Sequence, residues 1–282
     1  MDTTKTVGHL GLCAGYGGIE LGLKRAIPNL RTIALCEIEA FAISNLVAKM
    51  EAGLMDPAPI WPNLKTFPWG AFRDRVDILT GGYPCQPFSA AGQRKGKQDP
   101  RHLWPWIADG IRLLRPRICF FENVEGHISL GLSDVIEDLA RMGYRTTWGI
   151  FSASEVGAPH QRKRVFILAY RIGAGLEGLT GHGYGSGESR RITEGQDRPV
   201  GKSGLCCWPS RPGERQYGWE PPRICQTQPP LGGDSDGPAS GMDYAQLSVS
   251  CDNRTDELRL LGNGVVPQTA ELAFRELIKE LL

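Results

Sequence analysis

Residues 11–20 read GLCAGYGGIE and stand at the end of an apolar run over residues 7–12. A strand that ends in a glycine-rich turn and leads into a helix lets the backbone approach a ligand closely. The turn therefore favours a site for a nucleotide-like cofactor, although it lacks the GxGxxG spacing of dinucleotide enzymes. A plain tight turn gives the same pattern, so the rest of the chain has to decide between the two.

Five further apolar runs predict strands at residues 32–36, 76–79, 118–121, 146–151 and 165–170. Between them, apolar residues recur at helical spacing on two segments. These residues are Ile43, Leu46, Val47 and Met50, and then Leu103, Ile107, Ile111 and Leu114. Strands that alternate with helices predict an α/β fold with a mostly parallel sheet covered by helices.

The composition excludes several classes of protein. Of 282 residues, 41% are hydrophobic and 22% are charged, and 32 Lys and Arg nearly balance 31 Asp and Glu. This balance argues against disorder and against a polybasic tail, so a nucleic-acid surface would have to be local. The apolar runs are too short to cross a membrane, and residues 1–12 lack a signal-peptide pattern. We therefore expect a cytoplasmic protein whose eight Cys are reduced thiols.

Residues 172–240 differ from the rest of the chain in composition. They hold 15 of the 36 Gly and 8 of the 20 Pro, and their apolar residues show no helical periodicity. Helical spacing returns at Ala270, Ala273, Phe274, Leu277, Ile278 and Leu281. We predict a loop-rich domain at residues 171–255, inserted between a domain of residues 1–170 and a returning helix within residues 256–282.

Four potential metal ligands lie in the predicted insertion. They are His182, Cys206, Cys207 and Cys225. Adjacent cysteines do not match the ligand spacing of zinc fingers. We therefore predict no metal site.

The segment 77–89, DILTGGYPCQPFS, places Cys85 just beyond a predicted strand end and two glycines. In an open parallel sheet this position lies at the carboxyl edge, where ligands bind. An isolated Cys is more often buried as a small apolar residue. Here Pro84 and Pro87 deny regular hydrogen bonding on both sides, which favours a rigidly presented thiol.

Charged residues flank two of the predicted strands. Glu122 follows the run 118–121 and so would meet Cys85 at the same edge of the sheet. Arg162 and Arg164 lead into the last run, and the alternation of a strand would put both on one side. Without the other motifs, these arginines would indicate only a basic strand entrance.

Two further charged features are less specific. Glu37 and Glu39 follow the second run, where α/β cofactor folds hold ribose hydroxyls. Glu39 is better explained as a solvated residue in the first turn of a helix. The basic loop 90–101 suits contacts to phosphates, and equally a solvated surface.

Taken in order, five motifs resemble the cytosine-C5 DNA methyltransferases. They are CAGYGG at residues 13–18, PCQPFS at 84–89, ENV at 122–124, QRKR at 161–164 and LGNGVVP at 261–267. Their order and spacing match the family over residues 7–170 and 256–282. The resemblance implies a Rossmann-like sheet of the S-adenosylmethionine-dependent methyltransferases, with the insertion in the place of the family's target recognition domain.

The resemblance also implies roles for individual residues. Cys85 would be the nucleophile, Glu122 would contact the target cytosine, and Arg162 and Arg164 fall at the family's active-site arginines, with a structural ion pair as the alternative for one of them. The residues implied to line the S-adenosylmethionine pocket are Cys13, Gly15, Gly17, Gly18, Ile19, Glu37, Ile38, Tyr83, Pro84, Leu103 and Asn263. If the target base is flipped out, polar and basic residues after Cys85 are candidates to fill the vacated stack or to meet phosphates, and these DNA-contact candidates are Gln86, Ser89, Gln93, Arg94, Lys95 and Lys97.

Two residues depart from the family's pattern around the cofactor. Cys13 stands where the family often has Phe, and Asn63 stands where an Asp commonly meets the adenine amino group. Neither departure touches Cys85 or Glu122. The contacts to adenine are therefore the part of the family's pattern that transfers least directly.

The implied function is methyl transfer to carbon 5 of a flipped-out cytosine in a specific double-stranded DNA sequence, through a Cys85 adduct at carbon 6. We expect a monomer in a bacterial or phage-infected cell, either paired with a restriction endonuclease or solitary. The alternatives are an RNA cytosine methyltransferase, a DNA-binding relative without activity and a nicotinamide oxidoreductase. The size of the insertion, the intact Cys85 and Glu122, and the missing GxGxxG spacing argue against these in turn.

Overall fold

A computed structural model describes residues 6–84, 103–175 and 262–281 of the chain. Within these ranges the strands are β1 (Val7–Leu12), β2 (Leu30–Cys36), β3 (Ile60–Trp61), β4 (Ile78–Gly81), β5 (Ile118–Val124), β6 (Tyr144–Phe151) and β7 (Arg164–Arg171). The helices are α1 (Gly18–Ala26), α2 (Ala40–Glu51), α3 (Trp104–Leu114), α4 (His127–Leu130), α5 (Leu132–Arg141) and the C-terminal helix (Pro267–Leu281). Among these described helices, none is long and apolar enough to cross a membrane.

The seven strands form one sheet in the order β3-β2-β1-β4-β5-β7-β6. The first five strands are parallel, and β7 runs antiparallel to both β5 and β6. The prediction of an α/β fold with a mostly parallel sheet is confirmed. The antiparallel pair was not predicted. Residues 152–163 join β6 to β7 without a long crossover helix, and such a connection favours antiparallel neighbours.

The apolar runs located six of the seven strands. Strand β1 has the predicted bounds, whereas the other five are longer than their runs or slightly shifted. Strand β3 consists of Ile60 and Trp61 alone, so it is too short to show a periodic pattern.

Alternate residues of β5 face opposite sides of the sheet. Cys119 and Phe121 lie in the cluster covered by α3 and α5, whereas Ile118 and Phe120 lie in the cluster covered by α1 and the C-terminal helix. All four are fully buried. Because both faces of the sheet are covered, the strand has a continuous apolar sequence.

The two predicted cover helices exist, but they differ in burial. In α3, Ile107, Ile111 and Leu114 are buried, as their spacing predicted. In α2, Leu46 is buried while Val47 is 39% exposed, so the predicted apolar face was partly wrong. Helix α2 follows β2, which lies next to the two-residue edge strand β3. Because the sheet is small at this edge, it covers only part of the apolar face of α2.

The C-terminal helix confirms the helical spacing found at the end of the chain, since all six of those apolar residues are buried. It packs against α1 and β6. A Cβ on Gly22 would lie 2.4 Å from the Pro267 carbonyl oxygen, so the two helices approach closely there. The boundaries of the inserted domain stay a prediction, because residues 176–261 lie outside the described ranges.

The sheet order brings several polar residues to one edge. Since β2, β4 and β5 are parallel members of the sheet, Glu37, Gly82 and Glu122 all lie at its carboxyl edge. Strand β7 runs the opposite way, so its first residue, Arg164, lies at the same edge and pairs with Val124. The candidate site is built on this edge.

Candidate active site

The glycine turn after β1 combines an open position with a tightly packed one. Gly15 has a left-handed backbone with φ of 56°, and a Cβ there would meet no heavy atom within 4 Å. A ligand can therefore approach this part of the backbone closely. Gly17 caps the start of α1, and Ile19 is buried in its first turn. At Gly18 a Cβ would lie 2.0 Å from a carbonyl oxygen of the segment before the C-terminal helix.

The buried carboxylate of Glu37 joins the end of β2 to the glycine turn. Its Oε2 accepts a hydrogen bond from Gly15 N at 2.7 Å, and its Oε1 accepts hydrogen bonds from Ile38 N at 2.8 Å and Glu39 N at 2.9 Å. These three donors fix the position of the carboxylate. Ile38 is 71% exposed beside it, and Glu39 is exposed at the N-cap of α2. Fixed acceptors next to an exposed apolar side chain suit a ligand with both hydroxyl groups and a flat apolar ring.

Two thiols lie close to Glu37. Desolvation and the charge of Glu37 raise the pKa of Cys13 well above its usual range and raise the pKa of Cys36 to about 12. Both thiols are therefore neutral at neutral pH. They act as small apolar side chains and not as nucleophiles.

Glu122 is a buried carboxyl group near the end of β5. Its Oε1 lies 2.9 Å from Arg164 Nε, and its Oε2 lies 3.3 Å from the place of a Cβ on Gly82. Desolvation raises the pKa of Glu122 to about 7, although the charges of Arg164 and Arg162 oppose the shift. Near neutral pH this group can therefore hold and release a proton, as a general acid must.

Arg162 does not lie on β7 beside Arg164, so the prediction from strand alternation was wrong. Strand β7 begins at Arg164, and Arg162 has a left-handed backbone with φ of 39°, which breaks the two-residue alternation. Its guanidinium donates hydrogen bonds to the carbonyl oxygens of Gly262, at 2.8 Å, and of Gly264. Arg162 therefore acts on Glu122 through its charge, while its hydrogen bonds hold another part of the backbone.

Tyr83 follows β4 and is fixed from two directions. Asn123 Nδ2 donates to the Tyr83 carbonyl oxygen at 3.2 Å, and the Tyr83 hydroxyl lies 3.1 Å from His127 Nε2. Desolvation lowers the pKa of His127 to about 4, so its ring is neutral and can accept a hydrogen bond from the hydroxyl. The Tyr83 ring packs against Trp104 and Phe121. Sequence analysis missed His127, because α4 and β4 are distant in the chain.

The structure also describes two further predicted cofactor residues, Leu103 and Asn263, and Asn63, which departs from the family's pattern. Leu103 directly precedes α3 and packs, half-buried, against the core. Asn263 is exposed in the segment before the C-terminal helix. Asn63 caps the short turn Leu64–Thr66, where its Oδ1 accepts a hydrogen bond from Lys65 N at 3.0 Å.

The remaining predicted site residues are Pro84 and residues that follow it in the chain. Pro84 is exposed and is the last described residue after β4. The predicted nucleophile and DNA contacts outside the described residues are Cys85, Gln86, Ser89, Gln93, Arg94, Lys95 and Lys97. Among the residues that are described, no group of three His, Cys, Asp or Glu side chains is arranged to hold a metal.

A buried chain of polar side chains crosses the sheet beneath α1, and sequence analysis did not find it. His9 Nδ1 lies 3.1 Å from Thr32 Oγ1, and His9 Nε2 lies 2.9 Å from Thr80 Oγ1. Thr80 in turn donates to Glu20 Oε1 at 3.4 Å. Desolvation lowers the pKa of His9 to about 3 and raises that of Glu20 to about 7. The four residues come from four elements, so no local pattern connects them.

Comparisons with known proteins match the N-terminal part of the described fold. A family model described as C-5 cytosine-specific DNA methylase matches residues 8–194. The Type II methyltransferase M.NgoMIV of Neisseria gonorrhoeae is 35% identical over 169 residues, which are 57% of this chain and 51% of that protein. The Type II methyltransferase M.AplI of Arthrospira platensis is 33% identical over 166 residues, which are 57% of this chain and 45% of that protein.

The chain spans about half the length of these curated relatives. Among solved structures, the S. pombe Dnmt2 methyltransferase is 25% identical with a TM-score of 0.49. That alignment covers 60% of this chain and 52% of the other.

Proposed function

Because the chain belongs to the C-5 cytosine-specific DNA methylase family, we propose that it transfers a methyl group from S-adenosylmethionine to carbon 5 of cytosine in double-stranded DNA. The observation that carries the proposal is the buried Glu122, which lies 2.9 Å from Arg164 and has a pKa of about 7. It lies beside Gly82, three residues before Cys85. A carboxyl group that is partly protonated at neutral pH suits the acid-assisted addition of a thiolate to an aromatic ring.

The residues around the glycine turn fit S-adenosylmethionine. The backbone at Gly15 leaves room for a ligand, Glu37 offers fixed acceptors for ribose hydroxyls, and Ile38 offers an exposed apolar surface for adenine. When bound, S-adenosylmethionine supplies an electrophilic methyl group. The remaining proposed lining consists of Cys13, Gly17, Gly18, Ile19, Tyr83, Pro84, Leu103 and Asn263.

Cys85 overcomes the weak nucleophilicity of carbon 5, which is part of an aromatic ring. Its thiolate would form a bond to carbon 6, and the electron pair of the ring double bond would then form the bond from carbon 5 to the methyl group, while the bond from that group to the donor's sulfur breaks and its electron pair stays on the sulfur. Water can then remove the carbon 5 proton, and the thiolate leaves as the double bond returns. A thiolate suits both steps because it is nucleophilic near neutral pH and can also leave.

Glu122 stabilises the ring while the thiolate adds. In its protonated form it donates a hydrogen bond to ring nitrogen 3, where electron density builds up. Arg164 orients the carboxyl group through the 2.9 Å contact, and the missing Cβ of Gly82 leaves room for it. Arg162 adds a positive charge at a greater distance and acts mainly through the backbone that it holds.

The target cytosine has to leave the duplex before it can reach this edge, at a cost of about a few kcal/mol. Gln86, Ser89 and Gln93 are the proposed residues that take its place in the stack. Arg94, Lys95 and Lys97 would contact phosphates and make binding dependent on salt. The insertion 171–255 would read the sequence through base edges. A monomeric, cytoplasmic enzyme, paired with a restriction endonuclease or solitary, fits this proposal.

A methyl-transfer assay tests the proposal directly. We expect the protein to move a tritiated methyl group from S-adenosylmethionine to duplex DNA, and bisulfite sequencing of DNA from expressing cells to show one methylated sequence. Label on RNA alone would contradict the DNA substrate. Tight duplex binding without transfer would indicate an inactive relative. Binding of a nicotinamide cofactor in place of S-adenosylmethionine would indicate an oxidoreductase.

A further inference from the structure

Side chains from two separate loops converge on residues 262–265, the short segment before the C-terminal helix. The Tyr16 hydroxyl, in the glycine turn, donates a hydrogen bond to the Val265 carbonyl oxygen. Arg162, in the loop before β7, donates to two other carbonyl oxygens of the segment. Gly18 packs against the same Val265 carbonyl. The hydrogen bonds from Tyr16 and Arg162 all end on main-chain oxygens, so they fix the path of the segment itself.

Tyr16 is in turn held by α2. Lys49 Nζ donates to the Tyr16 carbonyl oxygen at 2.6 Å and to Asn45 Oδ1 at 2.7 Å, and it lies 4.7 Å from the centre of the Tyr16 ring. An ammonium group over an aromatic ring is attracted to it. Desolvation raises the pKa of Tyr16 to about 12, so its hydroxyl remains protonated and available as a donor at neutral pH. Tyr16 therefore connects α2 and the glycine turn to residues 262–265.

The position of Asn263 depends on this connection. Asn263 lies between the carbonyl groups that Arg162 binds, one residue before Gly264 and two before Val265. Asn263 is exposed, so the backbone held on both sides, and not burial, sets the position of this residue. Neither Tyr16 nor Lys49 was among the residues predicted from the sequence.

We propose that Tyr16 is a positioning residue for S-adenosylmethionine binding, because its hydroxyl holds residues 262–265 against the glycine turn and so sets the position of Asn263. The inference rests on the proposed function, since Asn263 matters in this way only if the cofactor binds beside it. Tyr16 bonds to the protein backbone and is not a catalytic residue. Its hydroxyl affects cofactor affinity and leaves the chemical step nearly unchanged.

The variant Tyr16→Phe tests this role, because it removes the hydroxyl and keeps the ring beneath Lys49. Tyr144→Phe is a matched control. The Tyr144 hydroxyl also donates to a backbone carbonyl, that of Pro116 at 2.7 Å, but it lies at the start of β6, at the opposite edge of the sheet. For each protein, calorimetry gives the Kd for S-adenosylmethionine, steady-state assays on duplex DNA give KM and kcat, and thermal unfolding gives Tm.

For Tyr16→Phe we expect Kd and KM for S-adenosylmethionine to rise about fivefold, the equivalent of one hydrogen bond of roughly 1 kcal/mol. We expect kcat to stay within about twofold, because the hydroxyl does not take part in the chemical step. Tyr144→Phe should lower Tm and leave Kd and KM at the wild-type values. A change of cofactor affinity in Tyr16→Phe, together with a change of stability alone in Tyr144→Phe, is the result expected of a positioning residue.

Unchanged Kd and KM in Tyr16→Phe would overturn the inference, as would a loss of stability alone like that of the control. A fall in kcat with unchanged KM would also overturn it. Failure of the proposed function is visible separately, because wild-type protein would then neither bind S-adenosylmethionine nor transfer methyl groups.

The double variant Tyr16→Phe with Arg162→Lys adds a second test. Lysine keeps the charge near Glu122 but loses the planar group that reaches two carbonyl oxygens. Because both residues hold one backbone segment, the rise in KM for the double variant should differ from the product of the single effects by at least about twofold. Strictly independent effects would contradict a shared role.

Discussion

Glu37 and Glu122 are both 6% exposed at the same edge of the sheet, yet their surroundings prepare them for different chemistry. At the end of β2, three backbone N–H groups donate to Glu37 and leave it an acceptor in a fixed position. Near the end of β5, Glu122 contacts Arg164, and desolvation raises its pKa to about 7. The two carboxyl groups therefore differ in what surrounds them: Glu37 is held as a fixed acceptor, whereas desolvation, opposed by the charges of Arg164 and Arg162, brings the pKa of Glu122 into the range where it can exchange a proton near neutral pH.

The largest effect is expected for a change of the proposed nucleophile, which should lower kcat without changing cofactor affinity. Cys85→Ser should lower kcat by at least about 10⁴-fold, because a hydroxyl is a poor nucleophile and a poor leaving group here. Calorimetry should give an unchanged Kd for S-adenosylmethionine, since Glu37 and the glycine turn are intact. Wild-type turnover by this variant would contradict the covalent mechanism.

Glu122→Gln should lower kcat by about 10² to 10³-fold, because an amide keeps the shape of the side chain but cannot give up a proton. We expect KM for S-adenosylmethionine to change by less than about twofold. Steady-state kinetics with both substrates varied measures both values. An equal loss of cofactor affinity would show that the two ends of the edge do not work separately.

Glu37→Gln should have the opposite signature. The amide has one acceptor oxygen in place of two, and its NH₂ group would face backbone N–H donors. We expect KM for S-adenosylmethionine to rise about 10 to 100-fold, as for the loss of hydrogen bonds to a charged group, with a smaller change in kcat. Glu39→Gln is the matched control, because the neighbouring Glu39 is exposed. A similar rise in KM for the control would contradict the role of Glu37.

The smallest effect is in the pH profile. The pKa of Glu122, raised to about 7, means that its neutral form is present below that pH and is lost above it. In wild type, kcat should therefore fall above about pH 7, by up to tenfold per unit of pH. Glu122→Gln should lose this falling limb, and Glu37→Gln should keep it. Identical profiles for wild type and Glu122→Gln would exclude Glu122 as the acid.

The sequence predicted those strands and helices whose apolar residues recur at a regular spacing or form a continuous run. Strand β1 and the C-terminal helix bury the residues that the sequence indicated, and α3 buries three of the four, since Leu103 precedes the helix and is half-buried. Glu37 and Glu122 could be proposed because each follows or ends an apolar run, and the carboxyl ends of parallel strands meet at one edge. The two-residue strand β3 and the antiparallel direction of β7 left no such pattern.

Contacts between distant residues could not be predicted in the same way. Tyr16 meets Val265, and His127 meets Tyr83, only because the sheet order brings their elements together. The sequence pattern predicts Arg162 on one side of β7 with Arg164, but the left-handed backbone at Arg162 interrupts that pattern before the strand begins. The protonation of Glu122 likewise depends on burial and on neighbours that become visible only in the folded chain.

The central claim is that Cys85 forms a covalent bond to carbon 6 of an extruded cytosine. The most direct measurement uses a duplex of the sequence that the protein methylates, with 5-fluorocytosine in place of the target cytosine. The protein is incubated with this duplex and S-adenosylmethionine, and the products are separated by denaturing electrophoresis. Fluorine cannot leave carbon 5 as a proton does, so elimination of the thiolate is blocked and the adduct persists. We predict a stable protein–DNA species with wild type and none with Cys85→Ser. No such species with a wild-type protein that methylates the unmodified duplex would contradict the claim.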